Sequence, residues 1–379
     1  MRNRLTEVRH YLHMNPELSG EEVNTASYIA ALLKETSPDE IWTGVGGNGI
    51  VAFYRGANRG KNIAFRAELD GLPITESNDI PHKSKNPGVA HSCGHDGHMV
   101  IVYGVAEYAS RVRDNMSGSV AVIFQPEEET GTGAAKMLRD ERMKDTRFDY
   151  ILALHNLPGF EKNSIIIRKH LFTSTTTGMI IRLRGSTSHA GEPQHGNSPV
   201  LAMTAIINSL NSLPQILLPM HRSALITIIH ARLGEIAFGT TPGYAEVMAT
   251  LRAYQPEDLE LMKVKGEEIA ESIAGAYGLS CETEWVEYFP AMINDDILTE
   301  EVIEMAKRLE LPIIYRENPF SWSEDFSFFA RRDPGALFGL GCGENHPQVH
   351  HQNYDFPDEL LETGVNLFTG LIDKFTIKK

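Results

Sequence analysis

Residues 62–73 read NIAFRAELDGLP, an apolar run that ends in acidic residues. The same pattern recurs at 119–129, SVAVIFQPEEE, and the run DYILALHNLP at 149–158 carries a histidine near its end. Short apolar runs of this kind are typical of buried strands, whereas GHMVIVYGVAEYASRV at 97–112 has helical spacing. Strands that alternate with helices predict an α/β fold with a doubly wound sheet, in which functional groups gather at the carboxyl ends of the strands.

The glycines of the segment 43–56, TGVGGNGIVAFYRG, match the spacing of a dinucleotide-binding motif. That motif needs a helix N-terminus after the glycines, because the helix end binds the pyrophosphate. Here Gly44, Gly46 and Gly49 lead instead into the β-branched and aromatic residues IVAFY. The segment therefore predicts a hairpin or a bulge.

A second domain is expected, because 379 residues exceed what one hydrophobic core normally serves. Residues 179–278 read as strand, helix, strand, strand and helix, which fits a small α+β module with an antiparallel sheet. We assign 175–284 to this inserted domain. The first domain is then discontinuous and comprises 1–174 and 285–379.

Composition excludes several kinds of partner. The net charge of −15 repels phosphate backbones and anionic lipid headgroups, so we expect no nucleic acid and no membrane partner. The N-terminal segment has no apolar run after its basic residues, and we expect no stretch that approaches the roughly 20 apolar residues of a membrane span. Three scattered cysteines favour reduced thiols over a disulfide framework. We therefore expect a cytoplasmic protein.

Residues 90–98, AHSCGHDGH, place three histidines, one cysteine and one aspartate in nine positions. Cysteine, histidine and aspartate bind transition metals and exchange protons near neutral pH. A single cysteine or histidine is usually a packing or hydrogen-bonding residue. Cys93 and His95, separated by one glycine, are close enough to chelate one ion, provided that further ligands come from elsewhere in the chain.

If the sheet prediction holds, the polar strand ends converge on this segment. The converging candidates are Glu68, Asp70, Cys93, His95, Glu128, Glu129, His155, His350 and His351. Thiolate, imidazole and carboxylate ligands suit zinc, manganese, cobalt or nickel, and their number exceeds what one tetrahedral ion needs. The set therefore predicts two divalent metal ions, a centre that activates water and polarises a carbonyl group.

The adjacent residues Glu128 and Glu129 fit such a centre. Neighbouring side chains on an extended stretch point to opposite sides, so one carboxylate can bind metal while the other holds a proton. An acidic run of this kind is often only a solvated turn. Its position directly after an apolar strand favours the functional interpretation.

The order of the motifs resembles that of the di-metal aminoacylase and carboxypeptidase family of metallopeptidases, and most closely its hippurate hydrolase and indoleacetyl-amino-acid hydrolase branch. The resemblance runs nearly end to end and rests on LHMNPELSGEE, RAELDGLPI, HSCGHDGH, FQPEEETGTGA, LHNLPG, HAGEPQHGNSP, SEDFSFF and HHQNYDFPDE. It implies a zinc-peptidase-like catalytic domain with a mixed sheet, interrupted by a smaller ferredoxin-like α+β domain that acts as a lid and in dimerisation.

The resemblance also implies roles for single residues. The implied metal ligands are Cys93, His95, Glu129, His155 and His350, with Cys93 where most of the wider family has a bridging aspartate. Glu128 is implied as the general base, and Asp70 as the partner that orients a metal-binding imidazole. His189 is implied to stabilise the oxyanion, often across the interface of a homodimer.

The match weakens in the second domain. Gly239 stands where the family usually has an asparagine that helps to place the substrate. Arg252 remains as a candidate for binding a substrate carboxylate, which a guanidinium pairs with bidentately. A surface role is the usual one for an arginine on a strand.

The leading hypothesis is a di-metal amidohydrolase that cleaves N-acyl amino acids or related small amides by a metal-activated water. A second hypothesis is a cysteine hydrolase with Cys93 as nucleophile and His95 or His155 as its base. A third, motivated by Gly239, is a metal-binding homologue without catalytic activity.

Overall fold

The structure, a computed structural model, describes residues 2–377 of the chain. These residues form two compact units. Unit 1 comprises the described residues of Met1–Phe172, Met292–Asn318 and Glu324–Lys379, and unit 2 comprises Thr173–Ala291 and Pro319–Ser323. The inserted domain predicted at 175–284 lies inside unit 2, which extends further because its last strand continues to Phe289.

The helices, in chain order, are α1 (Arg2–Met14), α2 (Val23–Glu35), α3 (His95–Val112), α4 (Gly133–Arg139), α5 (Glu141–Lys144), α6 (Val200–Leu217), α7 (Pro256–Ala276), α8 (Asp296–Arg308), α9 (Ser327–Arg332) and α10 (Glu359–Thr376). The strands are β1 (Glu40–Val45), β2 (Gly49–Arg55), β3 (Asn58–Glu68), β4 (Ser117–Gln125), β5 (Tyr150–Pro158), β6 (Ile165–Ile167), β7 (His170–Thr173), β8 (Thr175–Arg184), β9 (Ala224–Leu233), β10 (Tyr244–Ala253), β11 (Ser280–Phe289), β12 (Met292–Asn294), β13 (Ile313–Tyr315) and β14 (Gly335–Gly343).

Unit 1 is built on a mixed sheet with the strand order β1-β2-β4-β3-β5-β14-β6-β13. Its centre consists of β4, β3, β5 and β14, and each of these strands runs parallel to its neighbour. β4, β5 and β14 are buried over almost their whole length and β3 over its second half, as expected of parallel strands covered on both faces. The predicted mixed α/β fold is confirmed.

The glycine-rich segment 43–56 forms a hairpin, as the sequence predicts. Strands β1 and β2 pair antiparallel, with Thr43 opposite Ile50 and Val45 opposite Gly49. β2 then pairs with β4 and extends the central sheet.

Unit 2 has the element order β8-α6-β9-β10-α7-β11 and an antiparallel sheet in the order β11-β8-β10-β9. This is the split βαβ arrangement of ferredoxin-like domains. Residues along β10 alternate between buried and partly exposed, so one face of the sheet packs under the helices. The core includes Ile206, Leu210 and Met262.

One composition-based expectation was wrong. Helix α6, Val200–Leu217, is long and apolar enough to cross a membrane by length and composition, although the sequence predicted no such stretch. Its apolar character has a packing cause, because Ala202, Ile206 and Leu210 lie in the core of unit 2. Core helices of soluble proteins are commonly as long and as apolar as α6, so its length and composition are weak evidence for a membrane span.

The contact between α10 and α3 predicts a sharp difference between two glycines of α10. A Cβ atom at Gly364 would lie 2.6 Å from Cδ1 of the fully buried Ile101, and a Cβ at Gly370 would lie 2.5 Å from Sδ of Met305, so the two glycines differ in how readily the neighbouring side chain can move. Isoleucine is stiff at χ1 and methionine adapts. We expect Gly364→Ala to destabilise unit 1 by about 1–3 kcal/mol in urea unfolding, with Gly370→Ala nearly neutral. Equal stability of Gly364→Ala and the wild type would contradict this packing.

Candidate metal centre

The candidate site lies in unit 1 at the carboxyl ends of the central parallel strands. Glu129 follows β4, Asp70 follows β3, and His155 lies in the second half of β5. His350 comes from the segment after β14. Since the four strands run in one direction, their ends meet at one edge of the sheet, and the polar groups converge as the sequence predicts.

Cys93 and His95 reach this edge from the start of α3. Gly94, between them, caps the helix with φ of 89°, in the left-handed region that favours glycine. A Cβ atom on Gly94 would lie 2.2 Å from Oδ1 of Asn156, so the close approach of the helix to β5 also requires glycine.

Two groups of potential ligands overlap at Cys93. The first consists of Cys93, His95 and His155, and the second of Cys93, Glu129 and His350. Within each group the ligand atoms lie within 4.8 Å of one another. Each group would hold one divalent ion, and the thiol of Cys93 would be available to both. The structure therefore brings together all five residues that the resemblance implies as ligands.

Hydrogen bonds fix which imidazole nitrogens face this centre. Nδ1–H of His95 donates to the backbone carbonyl of Asp70 at 2.8 Å, and Nδ1–H of His155 donates to the carbonyl of Asn156 at 2.9 Å. A carbonyl can only accept, so in each neutral ring the lone pair lies on Nε2. Nε2 of His155 is 3.5 Å from Sγ of Cys93. Both rings are thus held in the tautomer that a metal ligand needs.

Asp70 contacts both His95 and Glu129. Its Oδ2 accepts hydrogen bonds from Oγ of Ser19 at 2.7 Å and from the backbone N–H of Glu129 at 2.9 Å. Its Oδ1 lies 3.4 Å from Nδ1 of His95, further than the backbone carbonyl of the same residue. The main chain of Asp70 therefore makes the shorter bond to the imidazole, and its carboxylate ties the Glu129 segment to the strand end.

His350 adopts an uncommon backbone conformation. Its φ is 64°, in the left-handed region, and its backbone N–H donates to the carbonyl of Ser92 at 2.7 Å. Non-glycine residues in this region are sparse and cluster at functional sites. The bond to Ser92 places His350 beside the Cys93 segment, with its Nε2 3.6 Å from Oε1 of Glu129.

The electrostatics of the centre favour cations. Burial raises the pKa of the Cys93 thiol well above its usual range, and the charges of Glu129 and Glu128 raise it further. Burial also raises the pKa of Glu128 well above its usual range, followed by the charge of Glu324. Nε2 of His95 and Oε1 of Glu129 are buried without a hydrogen-bond partner among the described residues. Divalent ions would pair with these atoms and hold the thiol as a thiolate, so the residues fit a metal centre.

Glu128 lies beside the ligands without belonging to the groups that share Cys93. Its Oε2 is 3.9 Å from Nε2 of His95. Its carboxylate also lies within 4.8 Å of the carboxylates of Glu324 and Asp325. Both of these accept hydrogen bonds from the fully buried Arg66, whose Nη2 is 3.0 Å from Glu324 and 2.8 Å from Asp325.

Arg66 and Asp325 were missed by sequence reasoning. The signal for Arg66 was available, because an arginine inside the apolar run NIAFRAE must either pair with acids or disrupt a buried strand. Asp325 lies in the segment SEDFSFF, directly after Glu324. Its link to Arg66 spans 259 positions of the chain and leaves no local pattern.

Several histidines near the centre are occupied by other bonds. Nδ1 of His13 pairs with Asp96 at 2.8 Å, and Nδ1 of His351 accepts from the backbone N–H of Asn353. Nδ1 of His98 bonds to Glu68 at 2.7 Å. Neither ligand group that shares Cys93 includes any of these three histidines.

His189 and Arg252 lie in unit 2. His189 is exposed in the loop after β8, and its Nδ1 accepts from the N–H of Gly191 at 3.1 Å, so the neutral ring carries its proton on Nε2. Gly239 pairs with this loop, because its carbonyl accepts from the N–H of Ala190 at 3.0 Å.

Arg252, on β10, donates to Oγ1 of Thr176 and to the carbonyl of Ser321. Among the ion pairs of the described residues, none includes this guanidinium. It borders a cavity of about 320 Å³ within unit 2, and burial lowers its pKa.

The fold and the donor set are those of a metallopeptidase, and comparison with known proteins gives the family. Residues 64–374 match Peptidase family M20/M25/M40, to which the chain belongs. An uncharacterized hydrolase of Staphylococcus aureus (strain bovine RF122) is 29% identical over 383 residues, which cover 98% of each chain. An uncharacterized hydrolase of Staphylococcus epidermidis is 30% identical over 374 residues, with 97% of each chain covered.

Solved structures extend the similarity. A protein of methicillin-resistant Staphylococcus aureus, provisionally described as an aminohydrolase, has a TM-score of 0.88 at 27% identity, with coverage of 99% of this chain and 97% of that one. A dinuclear metal-binding peptidase of the M20 family from Bacillus subtilis has a TM-score of 0.81 at 28% identity, with 98% and 97% covered. The chain is thus a hydrolase of the M20 family with dinuclear metal-binding relatives.

The shared position of Cys93 predicts the effect of removing it. Cys93→Ala deletes the one atom common to both ligand groups, so we expect bound metal to fall from roughly two ions per chain to one or fewer, measured by elemental analysis after dialysis. Cys281→Ala removes a half-buried cysteine of unit 2 and serves as the control. Full metal content in Cys93→Ala would exclude a bridging thiolate.

Proposed function

We propose that the protein is a metal-dependent amidohydrolase that cleaves the amide bond of N-acyl amino acids or related small amides, in the manner of the hippurate hydrolase branch of its family. The observation that carries this proposal is the pair of ligand groups that share Cys93, with the carboxylate of Glu128 beside them at 3.9 Å from Nε2 of His95. The dinuclear peptidase from Bacillus subtilis and the aminohydrolase description of the Staphylococcus aureus structure support the same reaction class.

When bound, two divalent ions such as Zn²⁺, Mn²⁺, Co²⁺ or Ni²⁺ would lower the pKa of a water and polarise the substrate carbonyl. Cys93, His95, Glu129, His155 and His350 would hold them. Glu128 would take the proton of the attacking water on its carboxylate and later donate it to the leaving amine nitrogen. Its raised pKa suits a group that must hold a proton between these two transfers.

The two residues of unit 2 would act on the substrate. Nε2–H of His189, exposed and oriented by the bond at Nδ1, is a suitable donor to the oxyanion of the tetrahedral intermediate. Arg252 would bind the carboxylate of the amino-acid part, because its guanidinium has only neutral partners among the described residues. An N-acyl amino acid supplies both the amide and the carboxylate that these groups require.

The protonation states of Cys93 and its candidate bases disfavour the cysteine-nucleophile alternative. A reactive cysteine needs a lowered thiol pKa and a base able to become charged. Burial instead raises the pKa of Cys93 and lowers the pKa of His155 to about 3. The thiol of Cys93 and the imidazole of His155 are therefore both neutral unless a cation is bound. Burial lowers the pKa of His95, but its contact with Asp70 and the charge of Glu68 outweigh burial and raise that pKa to about 10, so this ring already holds its proton and cannot serve as the base.

We expect Glu128→Gln to keep bound metal near the wild-type level while lowering kcat by about 10²–10⁴-fold, since the amide cannot act as a general base. Activity is measured on N-acetyl, N-benzoyl and longer N-acyl amino acids after loading with Mn²⁺ or Zn²⁺. Glu127→Gln is the matched control, because Glu127 bonds to Thr132 and Lys136.

Parallel loss of metal and activity in Glu128→Gln would reverse the roles of Glu128 and Glu129. A wild-type chain that binds metal normally and hydrolyses none of these substrates would favour the non-catalytic homologue, which the glycine at 239 also motivates.

We further propose that the active form is a homodimer in which His189 acts on the partner's substrate. Strand β9 is an edge strand of unit 2, and it exposes the apolar side chains of Leu225 and Ile229. An edge of this kind pairs readily with a second copy of itself. The neighbouring Ile236 and Phe238 are fully exposed, as expected of residues that a partner covers.

Mixing inactive chains tests action in trans. We expect His189→Ala and Glu128→Gln homodimers to be nearly inactive, and their heterodimer to recover part of the activity, because one of its two sites then has both groups. Purified heterodimers carrying two different affinity tags give the measurement. A heterodimer as inactive as its parents would place His189 in its own chain's site or outside catalysis.

A further inference from the structure

A series of hydrogen bonds leads from Arg66 through Glu68 and His98 to the backbone of Asn156, whose carbonyl oxygen in turn accepts from His155. Arg66 donates to Oε1 of Glu68, and Oε2 of Glu68 accepts from Nδ1–H of His98 at 2.7 Å. Nε2 of His98 accepts from the backbone N–H of Asn156 at 3.1 Å. The carbonyl of Asn156 accepts from Nδ1–H of His155 at 2.9 Å.

The direction of each bond in this series is forced. A guanidinium can only donate, a carboxylate can only accept, and a backbone N–H can only donate. Glu68 therefore sets the proton of His98 on Nδ1, which leaves Nε2 as an acceptor for the N–H of Asn156. The carbonyl of Asn156 accepts from Nδ1–H of His155, which leaves the lone pair of His155 on Nε2, the atom that lies 3.5 Å from Sγ of Cys93.

We propose that Arg66, Glu68 and His98 form a positioning relay, a series of hydrogen bonds that holds the backbone of Asn156. Through this backbone the relay keeps the ligand His155 in place for metal binding. The inference rests on the proposed metal-dependent function. Glu68 and His98 are fully buried and belong to neither ligand group that shares Cys93. They act through the orientation of another side chain, so they are positioning residues.

The relay also resolves an ambiguity in the ligand set. Glu68, His95 and His98 have ligand atoms close enough to hold an ion of their own. Both nitrogens of His98 are engaged, however, one with a carboxylate and the other with a backbone N–H. His98 thus has no free lone pair, and the relay assigns it a supporting role.

An isosteric change at Glu68 tests the forced direction. In Glu68→Gln, the amide oxygen can accept from either Arg66 or Nδ1–H of His98, and the amide NH₂ group then faces the other donor. We expect the affinity for Zn²⁺ or Mn²⁺ alone to fall by about 10–100-fold, measured on the whole chain by competition with a chromogenic chelator. Asp333→Asn is the control, since Asp333 is a buried carboxylate bonded to Arg332 outside the relay.

Two variants at His98 separate positioning from general stability. The amide of asparagine reaches about as far as Nδ1 of histidine, whereas that of glutamine reaches about as far as Nε2. His98→Gln can still accept from the N–H of Asn156, and His98→Asn cannot. We expect metal affinity to follow the order wild type, His98→Gln, His98→Asn, and the absorption spectrum of the Co²⁺-loaded protein to change most in His98→Asn.

Three results would overturn the relay. One is wild-type metal affinity in Glu68→Gln together with a loss of stability like that of Asp333→Asn. Another is equal affinity in the two His98 variants, and the third is loss of one whole metal equivalent in both, which would make His98 a ligand. Metal affinity is measured without substrate, so a failure of the proposed amide hydrolysis would not alter these outcomes.

Discussion

Unit 1 depends on the ion pairs that the buried guanidinium of Arg66 makes with three carboxylates. The parallel strands bring Glu68, Glu128 and Glu129 to one edge of the sheet, and Glu324 and Asp325 join them from the far end of the chain. A buried charge costs several kcal/mol unless it is paired. Arg66 pairs with three of these carboxylates at once, which is possible because its planar fork carries five donors.

This pairing divides the carboxylates into two sets. Glu68, Glu324 and Asp325 all accept hydrogen bonds from Arg66, which holds them in place and supplies one positive charge among them. Glu128 and Glu129 are left with histidines as their ion-pair partners among the described residues. Unsatisfied negative charge in a buried place attracts cations, and a thiol at the same place adds a soft ligand. The division of the acids thus creates the electrostatic conditions for a dinuclear centre.

Much of this arrangement could be predicted from the sequence, because it depends on local pattern. Apolar runs that end in acidic groups predict parallel strands with a functional edge, and the segment HSCGH predicts ligands at the start of a helix. The hydrogen-bond roles could not be predicted, since the proton position of His98 depends on Glu68 and Asn156, which lie 30 and 58 positions away. The left-handed conformation of His350 and the packing of Asn156 against Gly94 likewise follow from tertiary contacts.

The central claim is that two metal ions share the thiolate of Cys93. A crystal of the metal-loaded protein, measured by anomalous diffraction at the absorption edge of the bound metal, tests it most directly. The account predicts two anomalous peaks per chain, each about 2.3 Å from Sγ of Cys93 if the metal is zinc. One of the peaks should adjoin His155 and the other His350. A single peak, or two peaks neither of which adjoins Cys93, would contradict it.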